Sequence, residues 1–359
     1  MNDSHRITIS DVARQAGVSV TTVSHALNGK GQVDPLTRQK VEAAAQALGY
    51  RPNRNAQRLR GGGTRMIALM SSMPFAVAGG PSRLGFLMEV ASVAASSALE
   101  RGMAMVLVPP LESGESAIDI LDVDGALIIE PSADDRQLAD LVARGLPVVS
   151  IGKPGGSAYG HVPYVDLGSG LTVQMLLAHL QAQGAQQIAL VLGTAQRTSY
   201  AQAEQAYQEL VAASGMEHIA LRVDESRGEA GGRDAVRQLL AAHPRIDALL
   251  VLVDVFAVGA AQYLQQVGLR VPQDVMIATR YDGLRARTCT PPLTAVNLHL
   301  DEVARLAIDL LFERLRGSRD RLQVDSPLPQ LVERASTQQE PGVLARAQAQ
   351  AQGESTARD

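Results

Sequence analysis

The segment GVSVTTVSHALNG, residues 17–29, places Ser19, Thr21, Thr22, Ser24, His25 and Asn28 among small apolar residues. Hydroxyls, an imidazole and a carboxamide can donate and accept hydrogen bonds. That chemistry suits the reading of polar edges better than the breaking of bonds. No nucleophile–base pair, metal-ligand cluster or pair of carboxylates stands at a useful spacing elsewhere. His161, His179, His218, His243 and His299 are scattered along the chain and read as surface or boundary residues. The single cysteine, Cys289, argues against an intramolecular disulfide and a multi-cysteine metal site. The sequence thus points away from an enzyme and implies neither metal nor cofactor.

Three short helices must position that segment. Thr8 can cap the first, with Asp11 at the capping-box position and Val12, Ala13 and Ala16 on the buried face. Gly17 ends it. Ser19 caps a second helix, Val20 to Leu27, which stops at Asn28-Gly29. Asp34-Pro35 opens a third, in which Val41, Ala44, Ala45 and Leu48 recur at helical spacing up to Gly49. Two helices across a tight glycine turn form a helix-turn-helix. The first and third helices, with Val23, supply a miniature core. Val20, Thr21, Thr22, Ser24, His25 and Asn28 are left at outward or boundary positions. A helix with small and polar residues at its N-terminal end can enter a DNA major groove without obstruction.

Charge agrees with that reading. Residues 1–65 carry ten Lys/Arg and four Asp/Glu, a net of +6, so the remainder of a chain of net charge −4 carries −10. A basic head on an acidic body implies that only the head meets a polyanion. The next segment, RPNRNAQRLRGGG (51–63), can form a short helix capped by Asn53 and broken at Gly61. Two turns are marginal alone in water. Its arginines repel one another unless something negative lies nearby, so it reads either as a flexible basic linker or as a segment that folds on DNA, with Leu59 as a wedge into the minor groove.

From Met66 the pattern changes to short apolar strands alternating with helical stretches: MIALM, AMVLV, GALII and PVVSI, then IALVL, HIALRV, ALLVLV and VMIAT. Such alternation predicts parallel sheets with helices on both faces. Two lobes are expected, with the chain crossing between them near 160–164 and a ligand cleft at the carboxyl ends of the strands. From Ala335 an Ala/Gln-rich stretch reads as a disordered tail. The expected domains are therefore 1–50 for the head, 51–63 for the hinge, 64–334 for the lobes and 335–359 for the tail. No apolar run approaches the roughly 18 residues needed to span a bilayer, and the first residues carry no signal-peptide pattern. A cytoplasmic protein without membrane contact is expected. A solute-binding transport protein would share the lobed fold, but not the basic head.

The residues ISDVARQAGVSVTTVSHALNG and TRQKVEAAAQALGYRPNRNAQRLR, and more loosely QGAQQIALV, DVFAVGAAQYLQQVGLRVPQDV, YDG and PPLTAV, resemble the lactose-repressor/galactose-repressor family of bacterial transcription regulators. The resemblance covers nearly the whole chain except the tail. It implies a homodimer on a pseudo-palindromic operator, most simply a repressor, and lobes like those of periplasmic sugar-binding proteins. In that fold the chain crosses between lobes three times, returning to the first after about Pro292. Val20, Thr21 and His25 fall at base-reading positions, and Ser19, Thr22, Ser24, Asn28 and Asn53 at phosphate-contacting ones. Ala56 and Leu59 fall at the minor-groove positions. The tail has only Val343 and Leu344, so no tetramer is expected through it.

The same resemblance marks Asp254 and Asp282 as cleft residues binding a small effector. Other positions depart: Val253 replaces the usual Asn, Ala203 a ligand-binding Arg downstream of Ser199, and Gly168-Ser169 the usual Asp-Asn. An ordinary neutral hexose is thereby disfavoured. The loop SSMPFAVAGGPSRLGF (71–86) sets Gly79, Gly80 and Arg83 before a helix, and reads either as a surface loop with glycines for flexibility or as an anion site. A helix N-terminus beside an arginine can hold an anion, although Phe86 stands where a P-loop needs lysine. With Arg197, Ser199 and Arg280, these residues lead to the expectation of an anionic effector such as a sugar acid or sugar phosphate. The alternative is a cytoplasmic small-molecule-binding protein whose DNA binding is not controlled by ligand.

Overall fold

The computed structural model describes residues 8–28, 33–48, 63–78, 85–109 and 121–338. The chain divides into two compact units, Met1–Thr64 and Arg65–Asp359. The expected hinge with Asn53, Ala56 and Leu59, the positions Gly79, Gly80 and Arg83, and residues 339–359 of the expected tail lie outside the described residues.

The first unit holds α1 (Ile9–Ala16), α2 (Val20–Asn28) and α3 (Pro35–Ala47). Local chemistry sets their ends. The Thr8 backbone N–H and hydroxyl both donate to the Asp11 carboxylate, at 2.9 and 2.7 Å. Gly17 takes a left-handed φ of 66°, which a side chain would resist, and turns the chain between α1 and α2. Asp34 accepts from the backbone N–H of Leu36 and Thr37. The Thr37 side-chain hydroxyl foremost, and then these backbone hydrogen bonds, hold its carboxyl below the usual range. Val12, Ala13, Val23, Ala26, Val41, Ala44 and Ala45 form the buried core, and Ala16 lies at its edge.

In the second unit the first lobe contains β1 (Met66–Ser71), a short α4 (Phe75–Ala78), α5 (Phe86–Glu100), β2 (Ala104–Val108), β3 (Gly125–Ile129), α6 (Arg136–Ala143), β4 (Val148–Ile151) and β5 (Tyr164–Asp166). The second lobe contains α7 (Ser169–Ala182), β6 (Ile188–Gly193), α8 (Thr198–Ser214), β7 (Ala220–Val223), α9 (Gly228–Ala242), β8 (Ala248–Val251), α10 (Asp254–Gln266), β9 (Met276–Thr279) and α11 (Leu284–Thr288). The chain continues through β10 (Ala295–Asn297), α12 (Leu300–Leu315), β11 (Gln323–Asp325) and β12 (Gln330–Val332). The first sheet has the order β11-β5-β4-β3-β1-β2 and the second β7-β6-β8-β9, parallel throughout. Strands β3, β4, β6 and β8 are buried along their whole length, because helices cover both faces and leave no solvent side for polar residues. The expected architecture, a helix-turn-helix head and a two-lobed body of parallel sheets, is the one observed.

Two expectations need correction. The crossing expected at 160–164 lies after β5, which pairs with β4 and β11 in the first sheet. Gly168, at φ 60°, then opens α7 in the second lobe. Three residues with Tyr164 and Asp166 half-buried make too short an apolar run to reveal a strand. The return after Pro292 is present: α12 packs on α5 and the first sheet, β11 joins that sheet, and β12 pairs with β10. The lobes also extend past Ala335. Ser336 and Thr337 are fully buried, and Ser336 exchanges backbone and side-chain hydrogen bonds with Ile277 and Thr294.

That anchored segment covers His179 on α7, whose Nε2 is 2.8 Å from the Thr337 hydroxyl. Burial lowers its pKa, opposed by the charge of Glu333. The folded state therefore holds a neutral imidazole while the unfolded chain protonates near pH 6.5. The stability from this group is fully present above that value and is lost as pH falls towards the folded pKa, at no more than about 1.4 kcal/mol per pH unit. His179→Gln, which does not titrate, is expected to show a shallower loss of melting temperature between pH 7.5 and 5. Parallel melting curves across that range would refute the assignment.

Candidate functional site

Helix α2 presents Val20, Thr21 and His25 to solvent, with Ser24 half-buried. Ser19, exposed ahead of the helix, accepts from the Thr22 backbone N–H at 3.0 Å and lies 2.8 Å from the Thr22 hydroxyl. That bond fixes the start of the helix and holds Thr22 half-buried. Asn28 is the last residue of the helix. The exposed side chains are small, and Val23 and Ala26 face the core instead. The face at the helix start can therefore approach a surface closely.

In the second unit, the carboxyl ends of the two sheets face each other across a cleft. A cavity of about 60 Å³ lies there, lined by residues including Phe86, Glu130, Tyr200, Asp254, Arg280 and Tyr281. On that measure it holds a few water molecules. Phe86 from the first lobe and Tyr281 from the second pack as a tilted ring pair, centroids 5.4 Å apart. Glu130 follows β3 and carries φ 47°, an unfavourable backbone for a residue with a side chain. Its carboxylate accepts from Arg280 Nη1 and Nη2 at 3.0 and 2.7 Å, and from the Ser199 hydroxyl at 2.8 Å. Burial alone would raise its pKa, but the charge and hydrogen bonds of Arg280 outweigh that and hold it low.

Arg197, at the N-cap of α8, donates to the backbone carbonyls of Glu130 and Ser72 in the first lobe. Its Nε lies 3.6 Å from Glu225, itself buried. Asp254, at the start of α10, faces Arg285 at 3.3 Å. Burial raises its pKa, because that longer pairing compensates less fully. Helix α10 is held by a close approach: a Cβ on Gly259 would stand 2.0 Å from the Glu229 carbonyl of α9.

Of the sequence-predicted cleft residues, Phe86, Asp254 and Arg280 line the cavity, while Arg197 and Ser199 hold Glu130 from behind. Asp282 does not line it. Its carboxylate is tied to Arg334 at 2.7 Å and Arg287 at 3.2 Å. Among the described residues expected to attract an anion, Arg197 and Arg280 are each paired with a buried carboxylate, as is Arg285, so none of the three is left uncompensated; Arg83 lies outside the described residues. Glu130 itself went unnoticed in the sequence. A signal existed: an acidic residue directly after the apolar strand GALII stands at the strand end where clefts form.

Residues 8–53 match the family model described as bacterial regulatory proteins, lacI family, and residues 177–337 match a periplasmic binding protein-like domain. The HTH-type transcriptional regulator CelR of Thermobifida fusca is 32% identical over 88% of this chain and 94% of its own length. The ribose operon repressor of Escherichia coli K12 is 30% identical over 92% and 99%. Among solved structures, a CelR–cellobiose complex aligns with TM-score 0.65 at 30% identity, covering 92% of this chain and all of that one. The lac repressor dimer bound to operator and the anti-inducer ONPF aligns with TM-score 0.74 at 27% identity, covering 93% and 99%. The similarity runs through the helical head and the lobes alike, and the chain belongs to the lacI family, as a DNA-binding transcriptional regulator and not an enzyme.

Proposed function

We propose that this regulator is a cytoplasmic repressor that binds a pseudo-palindromic operator as a homodimer, its grip set by a small uncharged effector in the cleft. The carrying observation is the exposed, small-residue start of α2, with Val20, Thr21 and His25 free to meet base edges. Ser19, Thr22, Ser24, Asn28 and Asn53 would fix register on the phosphates. Ala56 and Leu59 would enter the minor groove, where unstacking is offset by contacts to the bent duplex. Closure of the lobes is a two-state equilibrium, and a ligand that prefers one state shifts operator affinity by its differential affinity. The paired arginines favour an uncharged effector, and a similar protein is solved with cellobiose, an uncharged disaccharide.

Operators selected from random DNA and measured by gel shift test this reading. His25→Ala is expected to weaken the selected site roughly 10–100-fold and relax one base position, leaving the salt dependence unchanged. Equal, weak binding of the wild type to every duplex would sink the operator reading. Operator affinity unmoved by any of a broad panel of uncharged metabolites would remove the effector and favour a DNA-binding protein without ligand control.

A further inference from the structure

The cleft is already bridged by the protein's own groups. From the first lobe, the Glu130 carboxylate reaches Arg280 and Ser199 of the second with three hydrogen bonds of 2.7–3.0 Å. Around it, Arg197 donates back to the Ser72 and Glu130 carbonyls. The Ala133 backbone N–H donates to the Gln196 carbonyl at 2.9 Å, and the Thr198 hydroxyl to the Pro154 carbonyl at 2.9 Å. Arg285 donates across to the Val77 carbonyl. Glu130 lines the cavity, is 5% exposed, and sits on a backbone of positive φ that only surrounding contacts would maintain. A bidentate arginine clamp with a hydroxyl beside it is how proteins hold a ligand carboxylate. Here the carboxylate is covalently part of the opposite lobe.

We propose that Glu130 is a tethered internal ligand of the cleft: it latches the lobes shut without effector and excludes anionic effectors by occupying their counter-charge. An incoming effector then has two routes. It fits beside the latch as an uncharged molecule donating to the free acceptor capacity of Glu130 and Asp254, or it opens the lobes by parting Glu130 from Arg280. An anion gains nothing, since Arg280 is already neutralised and Arg197 is paired with Glu225. The latch stands on this geometry; only its consequence for operator affinity rests on the regulator reading.

Full-length protein and the variants Glu130→Ala and Glu130→Gln are compared without DNA, by scanning calorimetry and small-angle scattering. Sodium acetate is added at ionic strength held constant with sodium chloride. Wild type is expected to respond to neither salt. Glu130→Ala leaves Arg280 without its counter-charge, so it should melt about 6–10 °C lower and show a larger radius of gyration. Acetate, seated between Arg280 and Ser199, should recover much of both, while chloride should not. Glu130→Gln fills the same space without charge, so it should open as well but gain nothing from acetate. That variant carries the test should the alanine protein not fold. The latch is overturned if every folded variant scatters like wild type, or if acetate stabilises wild type as much as Glu130→Ala. Because no operator is present, neither result depends on whether the operator reading holds.

Discussion

Arg280→Met is expected to cost the lobed unit about 3–5 kcal/mol at pH 7, because it strands a buried carboxylate after removing its bidentate partner. Glu130 and Arg280 have side chains only 5% and 8% exposed, so solvent does little to screen the loss. The pH dependence identifies the cause. In the wild type Glu130 is held below its ordinary pKa, so its contribution is present above an unfolded value of about 4.3 and fades as pH falls through the folded one. Without Arg280, burial dominates and the folded pKa rises above the unfolded value. The variant's penalty then grows with pH above about 4.3 and shrinks towards acid. Chemical denaturation at pH 7.5 and 5 measures this directly. A deficit of equal size at both would mean that lost packing, and not a stranded charge, explains it. Arg280→Lys should fall between, since an ammonium cannot reproduce the two parallel hydrogen bonds.

The second large effect belongs to the head. Val23 is fully buried between Val12 and Val41 in a core of seven buried residues. A unit this small has little stability to spare, and burying an unpaired carboxylate exceeds it. Val23→Asp is therefore expected to unfold α1 to α3 and reduce operator binding to the non-specific level, a loss of about 10³-fold or more. The lobes form a separate compact unit, so their melting transition should stay where it is. Calorimetry with gel shift on the same sample separates the two. Specific binding retained by the variant, or a displaced lobe transition, would contradict the division.

The head was readable because its determinants are local. Thr8 with Asp11, Ser19 with Thr22 and Asp34 with Leu36 and Thr37 each act within three residues. The strands were readable because burial on both faces leaves unbroken apolar runs. Strand β5 escaped notice because YVD is too short and too polar to look like one. The Ala335 boundary was misplaced because Ser336 and Thr337 are polar, and their burial is possible only where Ile277, Thr294 and His179 supply partners.

The cleft shows the limit most plainly. Arg197, Ser199, Asp254 and Arg280, singled out from charge and from the family resemblance, do gather around the cleft. The sequence could not pair them. Glu130 and Arg280 are 150 residues apart, and whether an arginine awaits an anion or already holds one depends on what the other lobe places against it. Asp282 was assigned to ligand by position, yet Arg287 and Arg334 claim its carboxylate. The chain alone thus determined most of the elements and the polar, small-residue character of α2, because those follow from short-range spacing and burial, and its motifs carried the resemblance to the family. Only the folded lobes decided the charge balance of the cleft, because Coulomb partners are chosen by proximity in space, which no spacing along the chain records.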